Sequence, residues 1–149
     1  MEGKMPRALI VYATRAGATE KIAELIAEGI RFTGNEAQIQ NANEITSEAN
    51  LEGFDAYVFG SATYHGEMMQ GVKKVLFLAE KVPLAGKPGG AFGAFGWSGE
   101  AIDRIYETMK NVFKMDMVSN PLRLKSPDLG GGRQMAQDYG REAGKKLIQ

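Results

Sequence analysis

Apolar residues in the first part of the chain form two kinds of pattern, a continuous run and a helical stripe. Residues 8–12 are a continuous apolar run rich in β-branched side chains, which is typical of a strand covered on both faces in a parallel sheet. From Thr19 the apolar positions are spaced three or four residues apart, at Ile22, Leu25, Ile26 and Ile30. This spacing predicts an amphipathic helix that starts near Glu20 and ends at Gly34.

The same two patterns alternate along the rest of the chain. We expect further strands at 37–40, 56–59, 91–95 and within 117–124, and we expect Gly60 to end the second of these. Helical stripes lie at 72–79, 101–113 and 135–147. Gly140 and Gly144 in the last helix cost about 1 kcal/mol each relative to alanine, so we expect them to allow close packing onto the sheet.

Strand and helix therefore alternate about five times. Such alternation requires crossover connections, and right-handed crossovers build an open sheet with helices on both faces. The sequence predicts an α/β fold, a doubly wound five-stranded parallel sheet with helices on both faces, in a single domain of residues 1–149.

Composition and charge exclude several classes of function. The chain has 18 basic and 18 acidic residues, no cysteine and one histidine, His65. Neutrality argues against nucleic acid as a partner, while the missing cysteines exclude disulfides, iron–sulfur clusters and cysteine zinc sites. The longest apolar run near the N-terminus, residues 8–13, is too short for a membrane span or a signal segment. We expect a cytoplasmic protein in which redox chemistry would require a bound organic cofactor.

Ligands of open α/β sheets bind beyond the carboxyl ends of the strands, so the loops that follow the strands are the candidate sites. The first loop consists of Thr14, Arg15, Ala16, Gly17, Ala18 and Thr19. Backbone amides, two hydroxyls and a helix N-terminus make it suitable for a phosphate. It matches neither the P-loop nor the dinucleotide motif. The alternative is that Thr19 only caps the helix and the loop binds nothing.

The second loop surrounds an aromatic residue and the imidazole with small and polar side chains: Ser61, Ala62, Thr63, Tyr64, His65 and Gly66. A flat ring with hydrogen-bonding edges would fit such a loop. Alternatively, Tyr64 covers the core and His65 is a surface residue. Nucleophilic catalysis by Ser61 is disfavoured because the Gly-x-Ser-x-Gly motif is absent.

The third loop holds the single tryptophan of the chain among glycines, in the sequence Phe95, Gly96, Trp97, Ser98 and Gly99. A large aromatic side chain in such a loop costs stability unless something packs on it. A planar ligand would do so; alternatively, Trp97 fills the end of the core.

Together the three loops resemble those of the flavodoxin family. The first loop resembles the flavodoxin phosphate loop, residues 60–64 resemble the second flavin loop, and residues 96–101 are similar to the third loop in the flavodoxin domains of flavodiiron proteins. The similarity covers essentially the whole chain. It implies a flavodoxin-like fold that binds FMN non-covalently and carries one or two electrons.

The resemblance also implies roles for individual residues. Thr14, Gly17 and Thr19 would hold the phosphate together with neighbouring amides. Two groups would border the isoalloxazine, one formed by Thr63, Tyr64, His65 and Gly66 and the other by Phe95, Gly96, Trp97 and Ser98. In two respects the chain departs from the family. Arg15 and Ala16 stand where flavodoxins commonly have hydroxyl residues and Ala18 stands at an asparagine position, and the chain lacks the usual strong negative charge.

Three functions follow as hypotheses. The first is an electron-transfer protein that shuttles electrons between redox protein partners, with a monomer slightly favoured over an oligomer. The second is an FMN-dependent NAD(P)H:quinone oxidoreductase of the flavodoxin-like kind, and the third is a flavin-free module. Since the chain carries no metallo-β-lactamase-like half, we do not expect it to encode the oxygen or nitric oxide reduction of flavodiiron proteins.

Overall fold

The computed structural model describes residues 5–14, 17–64, 67–94, 100–127 and 130–148. Within these ranges the strands are β1 (Arg7–Ala13), β2 (Glu36–Asn41), β3 (Ala56–Ser61), β4 (Thr63–Tyr64), β5 (Glu67–Met68), β6 (Pro88–Ala94), β7 (Asp116–Met117) and β8 (Leu122–Leu124). The helices are α1 (Ala18–Phe32), α2 (Gln70–Ala79), α3 (Glu100–Glu107) and α4 (Gly132–Leu147).

The main sheet is parallel and has the strand order β2-β1-β3-β6-β7, with β8 also paired to β6. Ile10 of the interior strand β1 lies between Ile39 of β2 and Val58 of β3, which explains why β1 is β-branched and apolar without alternation. The predicted doubly wound parallel sheet is therefore confirmed.

Helices cover both faces of this sheet. One core lies beneath α1 and α4 and includes Ile10 and Val58, and the other lies beneath α2 and α3 and includes Leu9 and Phe59. Between β2 and β3 the chain crosses the second face as two short 3₁₀ segments, Ala42–Glu44 and Glu48–Leu51. These segments occupy the polar stretch in which the sequence has no helical stripe.

The fifth strand differs from the prediction because it is broken into β7 and β8. Both segments pair with β6, but no residue of either aligns with Ala91. The hydroxyl of Tyr139 on α4 takes the place of a strand neighbour, since it accepts a hydrogen bond from the Ala91 N–H (3.1 Å) and donates to the Ala91 carbonyl (3.3 Å). A buried backbone group needs such a partner, and the α4 side chain supplies it.

Two expectations about glycines were wrong. Gly60 does not end β3, which continues to Ser61; the ring of Phe92 on β6 fills the space where a Gly60 Cβ would lie. The closest neighbours of Gly140 and Gly144 are in α1 and its C-cap, and not in the sheet. They pack against α1, where a Cβ on Gly140 would lie 2.1 Å from the carbonyl oxygen of Ile26 and one on Gly144 would lie 2.1 Å from Thr33 Oγ1.

One of the predicted helices also ends at a different residue. The α-helix predicted at 101–113 ends at Glu107 and continues as a π-helical turn, Thr108–Val112. The antiparallel hairpin of β4 and β5 was not predicted, because two-residue strands carry no periodic signal.

Candidate functional site

The strand order places the candidate site above β1 and β3. The chain leaves β1 toward β2 on one side and returns to β3 on the other, so the connections diverge above the carboxyl ends of these two strands. Such a divergence opens the crevice in which doubly wound sheets bind ligands. The first predicted loop follows β1 and the second follows β3, so the fold brings these two segments to one edge.

The first loop turns into α1 through Gly17, whose left-handed backbone (φ 92°) strongly favours glycine. The Gly17 N–H donates to Thr14 Oγ1 over 2.9 Å, which leaves the Thr14 hydroxyl proton available to a ligand. The helix begins at Ala18, earlier than predicted, and Gly17 occupies its N-cap with no side-chain hydrogen bond. Thr19 is therefore not the cap. Arg15 and Ala16 lie outside the described residues.

Thr19 and Thr63 carry the clearest sign of a missing partner. The side-chain oxygen of each is buried and lacks a hydrogen-bond partner within the described part of the chain, and the Thr19 side chain is fully buried. A buried hydroxyl without a partner costs about 1–3 kcal/mol, so two of them, one following β1 and one following β3, require an explanation. A phosphate-bearing ligand that accepts their hydrogen bonds would provide it, which means that these residues fit the predicted cofactor.

Tyr12, at the end of β1, was not predicted to belong to this region. Its hydroxyl interacts with the side chains of Glu20 on α1 and Asn41 on β2. Burial raises the pKa of Tyr12, and the neighbouring carboxylate of Glu20 raises it further, so the phenol remains protonated and able to donate. The carboxylate of Glu20 in the first turn of α1 therefore lies near the Tyr12 hydroxyl at the carboxyl-terminal part of β1.

The second loop begins with a serine whose hydroxyl is already engaged. Ser61 is fully buried, and its Oγ accepts a hydrogen bond from the Met69 N–H (2.9 Å) and donates to the Ala62 carbonyl (2.8 Å). The Ala62 N–H donates to the carbonyl of Ala13 (3.1 Å), which joins the ends of β3 and β1. Ser61 thus shapes the loop through both of its hydrogen bonds.

The remaining members of the second loop are only partly described. Thr63 and the backbone of Tyr64 form β4, which pairs with β5, so this loop is a small hairpin above the sheet edge. His65 and Gly66 lie outside the described residues, and their predicted roles stay predictions.

The third loop starts next to the second. A Cβ on Gly93 of β6 would lie 2.2 Å from the carbonyl oxygen of Ser61, so a glycine is needed to bring the ends of β3 and β6 this close. The predicted loop residues themselves lie outside the described residues: Phe95, Gly96, Trp97, Ser98 and Gly99.

A cleft of about 860 Å³ lies at the opposite, amino-terminal edge of the sheet and includes Arg7 and Arg31 in its lining. Arg31 donates to the carbonyl of Ala37 over 2.7 Å, and Arg7 lies 3.9 Å from the carboxylate of Glu36. Because both guanidinium groups have protein partners, this cleft is a weaker candidate than the crevice above β1 and β3.

Two features are absent from the described ranges. None of the four helices is long and apolar enough to cross a membrane. Over the same ranges, no three metal-binding side chains of histidine, cysteine or acidic type come together.

Comparison with known proteins gives the family. The model of the flavodoxin domain family matches residues 9–125. The chain is 34% identical over 125 residues to a putative diflavin flavoprotein of Nostoc sp., covering 74% of this chain and 22% of that protein. It is 30% identical over 140 residues to a type A flavoprotein of Rhodobacter capsulatus, covering 89% of this chain and 31% of that protein. The chain thus spans less than a third of these two relatives.

Solved structures support the same assignment. A flavodoxin from the domain Archaea has a TM-score of 0.88 and 28% identity, with 96% of this chain and 99% of that chain covered. The flavodiiron protein of Giardia intestinalis also has a TM-score of 0.88, with 26% identity and coverage of 95% of this chain and 36% of that chain.

This chain belongs to the flavodoxin domain family, as the three loops predicted. The family membership confirms the flavodoxin-like fold and FMN as the cofactor.

Proposed function

We propose that the chain is a cytoplasmic FMN-binding electron-transfer protein that exchanges electrons with protein partners, and that residues 1–149 form one FMN-binding domain. The phosphate is held by the first loop, at Thr14, Gly17, Thr19 and their neighbours Arg15, Ala16 and Ala18. The isoalloxazine is bordered by the second and third loops, residues 61–66 and 95–99.

The pair of buried, unpartnered hydroxyls supports this proposal most strongly. Thr19 lies in the first turn of α1, where helix amides and the helix dipole favour an anion. Thr63 lies in β4, directly after the carboxyl end of β3. A ligand that carries both a phosphate and a polar ring system satisfies the two positions together.

FMN, when bound, accepts and releases one or two electrons. The protein binds, orients and shields it. The Thr14 and Thr19 hydroxyls would donate to its phosphate, and the Tyr12 hydroxyl lies near the Glu20 carboxylate in the first turn of α1. Burial of Thr19 and Ser61 indicates that water is excluded beneath the first two loops.

The proposal is tested by titrating the apoprotein with FMN and with riboflavin while the fluorescence of Trp97 is recorded. Trp97 is the single tryptophan, so its emission reports the third loop directly. We expect FMN to quench it strongly and to bind at least about 10-fold more tightly than riboflavin, because one charge-assisted hydrogen bond contributes about 1.5–3 kcal/mol.

Equal affinities for FMN and riboflavin would reject the phosphate assignment, whereas stoichiometric binding without quenching would reject only the assignment of Trp97. Addition of NADPH to the FMN complex gives a separate check. Rapid bleaching of the flavin by NADPH alone would favour the quinone oxidoreductase over a carrier.

A further inference from the structure

The zero net charge of the chain conceals a strong segregation of charge. Between Arg31 and Lys73 there are six acidic residues and no lysine or arginine. The segment that follows, residues 73–87, contains four lysines and a single acidic residue, Glu80. A neutral protein with separated charges produces local fields even though its long-range field is weak.

The outer surface of α2 concentrates the basic part of this pattern around an aromatic ring. Phe77 is 63% exposed, and the ammonium of Lys81 lies 5.5 Å from its ring centroid. Lys73 and Lys74 are exposed four and three residues before Phe77, so they lie on the same helical face. We call Lys73, Lys74, Phe77 and Lys81 the α2 surface.

The α2 surface lies close to the proposed flavin site. The N-cap of α2, Met69, donates its N–H to Ser61 at the end of β3, so the helix starts at the edge of the sheet that carries the second loop. At about 1.5 Å per residue, Lys74 and Phe77 lie about 8 Å and about 12 Å along the helix from this start. A protein bound to the α2 surface would therefore lie beside the flavin loops.

We propose that the α2 surface is the docking site of an acidic electron-transfer protein, an inference that rests on the function proposed above. An exposed aromatic side chain with three lysines and one carboxylate, Glu80, around it matches the composition of an interface whose centre is apolar and whose rim is charged. The complementary surface carries carboxylates around an apolar pocket for Phe77. In the complex one electron passes between the partner and FMN, so that one centre is oxidised as the other is reduced.

Two other occupants fit the α2 surface less well. The apolar stripe of α2, which includes Val72, Val75 and Leu76, is already buried in the core, so Phe77 alone remains for a lipid surface, and a helix at a membrane interface needs a broad apolar face. A symmetric contact with a second copy would place lysines against lysines, because a two-fold interface joins a patch to itself.

The acidic segment before α2 also restricts how a bound partner is oriented. The 3₁₀ segments that carry Glu44 and Glu48 pack against α2. An acidic protein is repelled by this neighbouring surface and attracted to the lysines, so the charge boundary orients it along α2.

The test uses the FMN-loaded full chain and a reduced, acidic plant-type [2Fe–2S] ferredoxin as the probe. Stopped-flow mixing gives the second-order rate constant of flavin reduction at about 0.01 M and about 1 M salt, where the Debye lengths are about 30 and 3 Å. We expect Lys74→Glu to lower the rate constant about 10-fold at low salt and to have little effect at high salt, because steering by charge is screened. Phe77→Ala should lower it about 3-fold or more at both salt concentrations, since it removes a packing contact.

Matched substitutions elsewhere on the molecule serve as controls. Lys145→Glu makes the same charge change at an exposed position of α4, and Phe32→Ala removes another exposed ring, 58% accessible, beneath a cation. Both should change the rate constant by less than about 2-fold, because neither residue belongs to the α2 surface. Equal effects of Lys74→Glu and Lys145→Glu would overturn the proposal, because net charge and not a surface would then control the rate.

The remaining outcomes also decide whether the α2 surface binds an acidic protein. If all variants bind FMN and react with ferredoxin at the wild-type rate, the docking site is wrong while the proposed function stands. If the chain does not bind FMN, both are wrong. If Phe77→Ala abolishes sedimentation with phosphatidylserine vesicles, or converts a dimer to a monomer in analytical ultracentrifugation, the α2 surface belongs to a membrane or to a second copy.

Discussion

At the scale of single residues, the buried hydroxyls distinguish parts of the chain that serve the fold from parts that await a ligand. Thr33 has a complete set of partners, since its hydroxyl donates to the Ile30 carbonyl (2.6 Å) and accepts from Asn35 Nδ2 (2.8 Å). Thr19 is fully buried, whereas Thr33 is half-buried, and Thr19 has no such partners within the described ranges. The two hydroxyls therefore have opposite effects on the stability of the apoprotein: that of Thr33 stabilises it and that of Thr19 destabilises it.

Substitution of Thr19 by valine keeps the shape and removes the hydroxyl. We expect the unfolding free energy of the apoprotein to stay the same or to rise, because an unsatisfied polar group leaves the core. The affinity for FMN should fall about 10-fold, equivalent to about 1.4 kcal/mol, and that for riboflavin should not change. Denaturant titration of the apoprotein and the two ligand titrations measure these effects.

Thr33→Val is the matched control. It should destabilise the apoprotein by about 1–2 kcal/mol through its broken hydrogen bonds and leave both affinities unchanged. If Thr19→Val behaves like Thr33→Val, the Thr19 hydroxyl serves the fold and not a phosphate.

At the scale of elements, the close contact of α1 with α4 depends on glycine. Gly140→Ala would raise intrinsic helix stability by about 1 kcal/mol, but its Cβ would meet the Ile26 carbonyl oxygen at 2.1 Å. Because the obstacle is backbone, the steric effect wins, and we expect a net loss of about 1–3 kcal/mol. Thermal unfolding measures it, with Lys145→Ala on the same helix as a control that changes stability by less than about 0.5 kcal/mol. A stabilised Gly140→Ala variant would show that α1 and α4 separate at little cost.

The broken fifth strand gives a prediction for alkaline pH. Burial raises the pKa of Tyr139 far above its usual value of 10.0, so the native state keeps this proton when the unfolded chain releases it. Stability from Tyr139 is therefore complete below pH 10 and declines above it, by about 1.4 kcal/mol per pH unit.

Tyr139→Phe tests this contribution directly. Near pH 7 it should cost about 1–3 kcal/mol, because the Ala91 N–H and carbonyl lose their partner. The difference from wild type should shrink as pH rises above 10. A difference that stays constant up to pH 11 would mean that Tyr139 ionises in the native state as it does in the unfolded chain.

The elements also show where sequence reasoning succeeds. The long apolar runs of β1 and β3 and the stripes of α1 and α4 were predicted, because period and length are local properties of the chain. The role of Tyr139 was not, because a phenol that replaces a strand neighbour depends on a contact between residues 48 positions apart. Gly60 was predicted to end β3 for the same reason, since its partner Phe92 lies on another strand.

In the candidate site too, local signals were predicted from the sequence and contacts between distant residues were not. The first loop was predicted because Gly17, Thr19 and the helix start are contiguous in sequence. Tyr12 and Gly93 were missed, since their importance lies in contacts with Glu20 and with Ser61 across the sheet edge. An apolar strand with a tyrosine at its end gives no local signal for such a contact.

At the scale of the whole molecule, the crevice above β1 and β3 and the α2 surface adjoin one edge of the sheet. The first two loops follow the carboxyl ends of β1 and β3, and α2, which carries the lysines, begins at the same edge of the sheet. The site and the proposed docking surface are thus connected through Ser61 and Met69, whose hydrogen bond is 2.9 Å long.

Ligand linkage provides a prediction for the entire chain. A ligand that binds only the folded state stabilises it by about 2.7 kcal/mol at 100 times its dissociation constant, which for a chain of this size corresponds to an increase in Tm of roughly 5–11 °C. The phosphate of FMN loses its second charge near pH 6, and a helix N-terminus favours the dianion. At a fixed FMN concentration the increase in Tm should therefore become smaller as pH falls from about 7.5 to about 5.5, whereas any increase given by riboflavin should change little. Differential scanning calorimetry of the apoprotein with each ligand measures both. Parallel pH profiles for FMN and riboflavin would show that the first loop does not sense the phosphate charge.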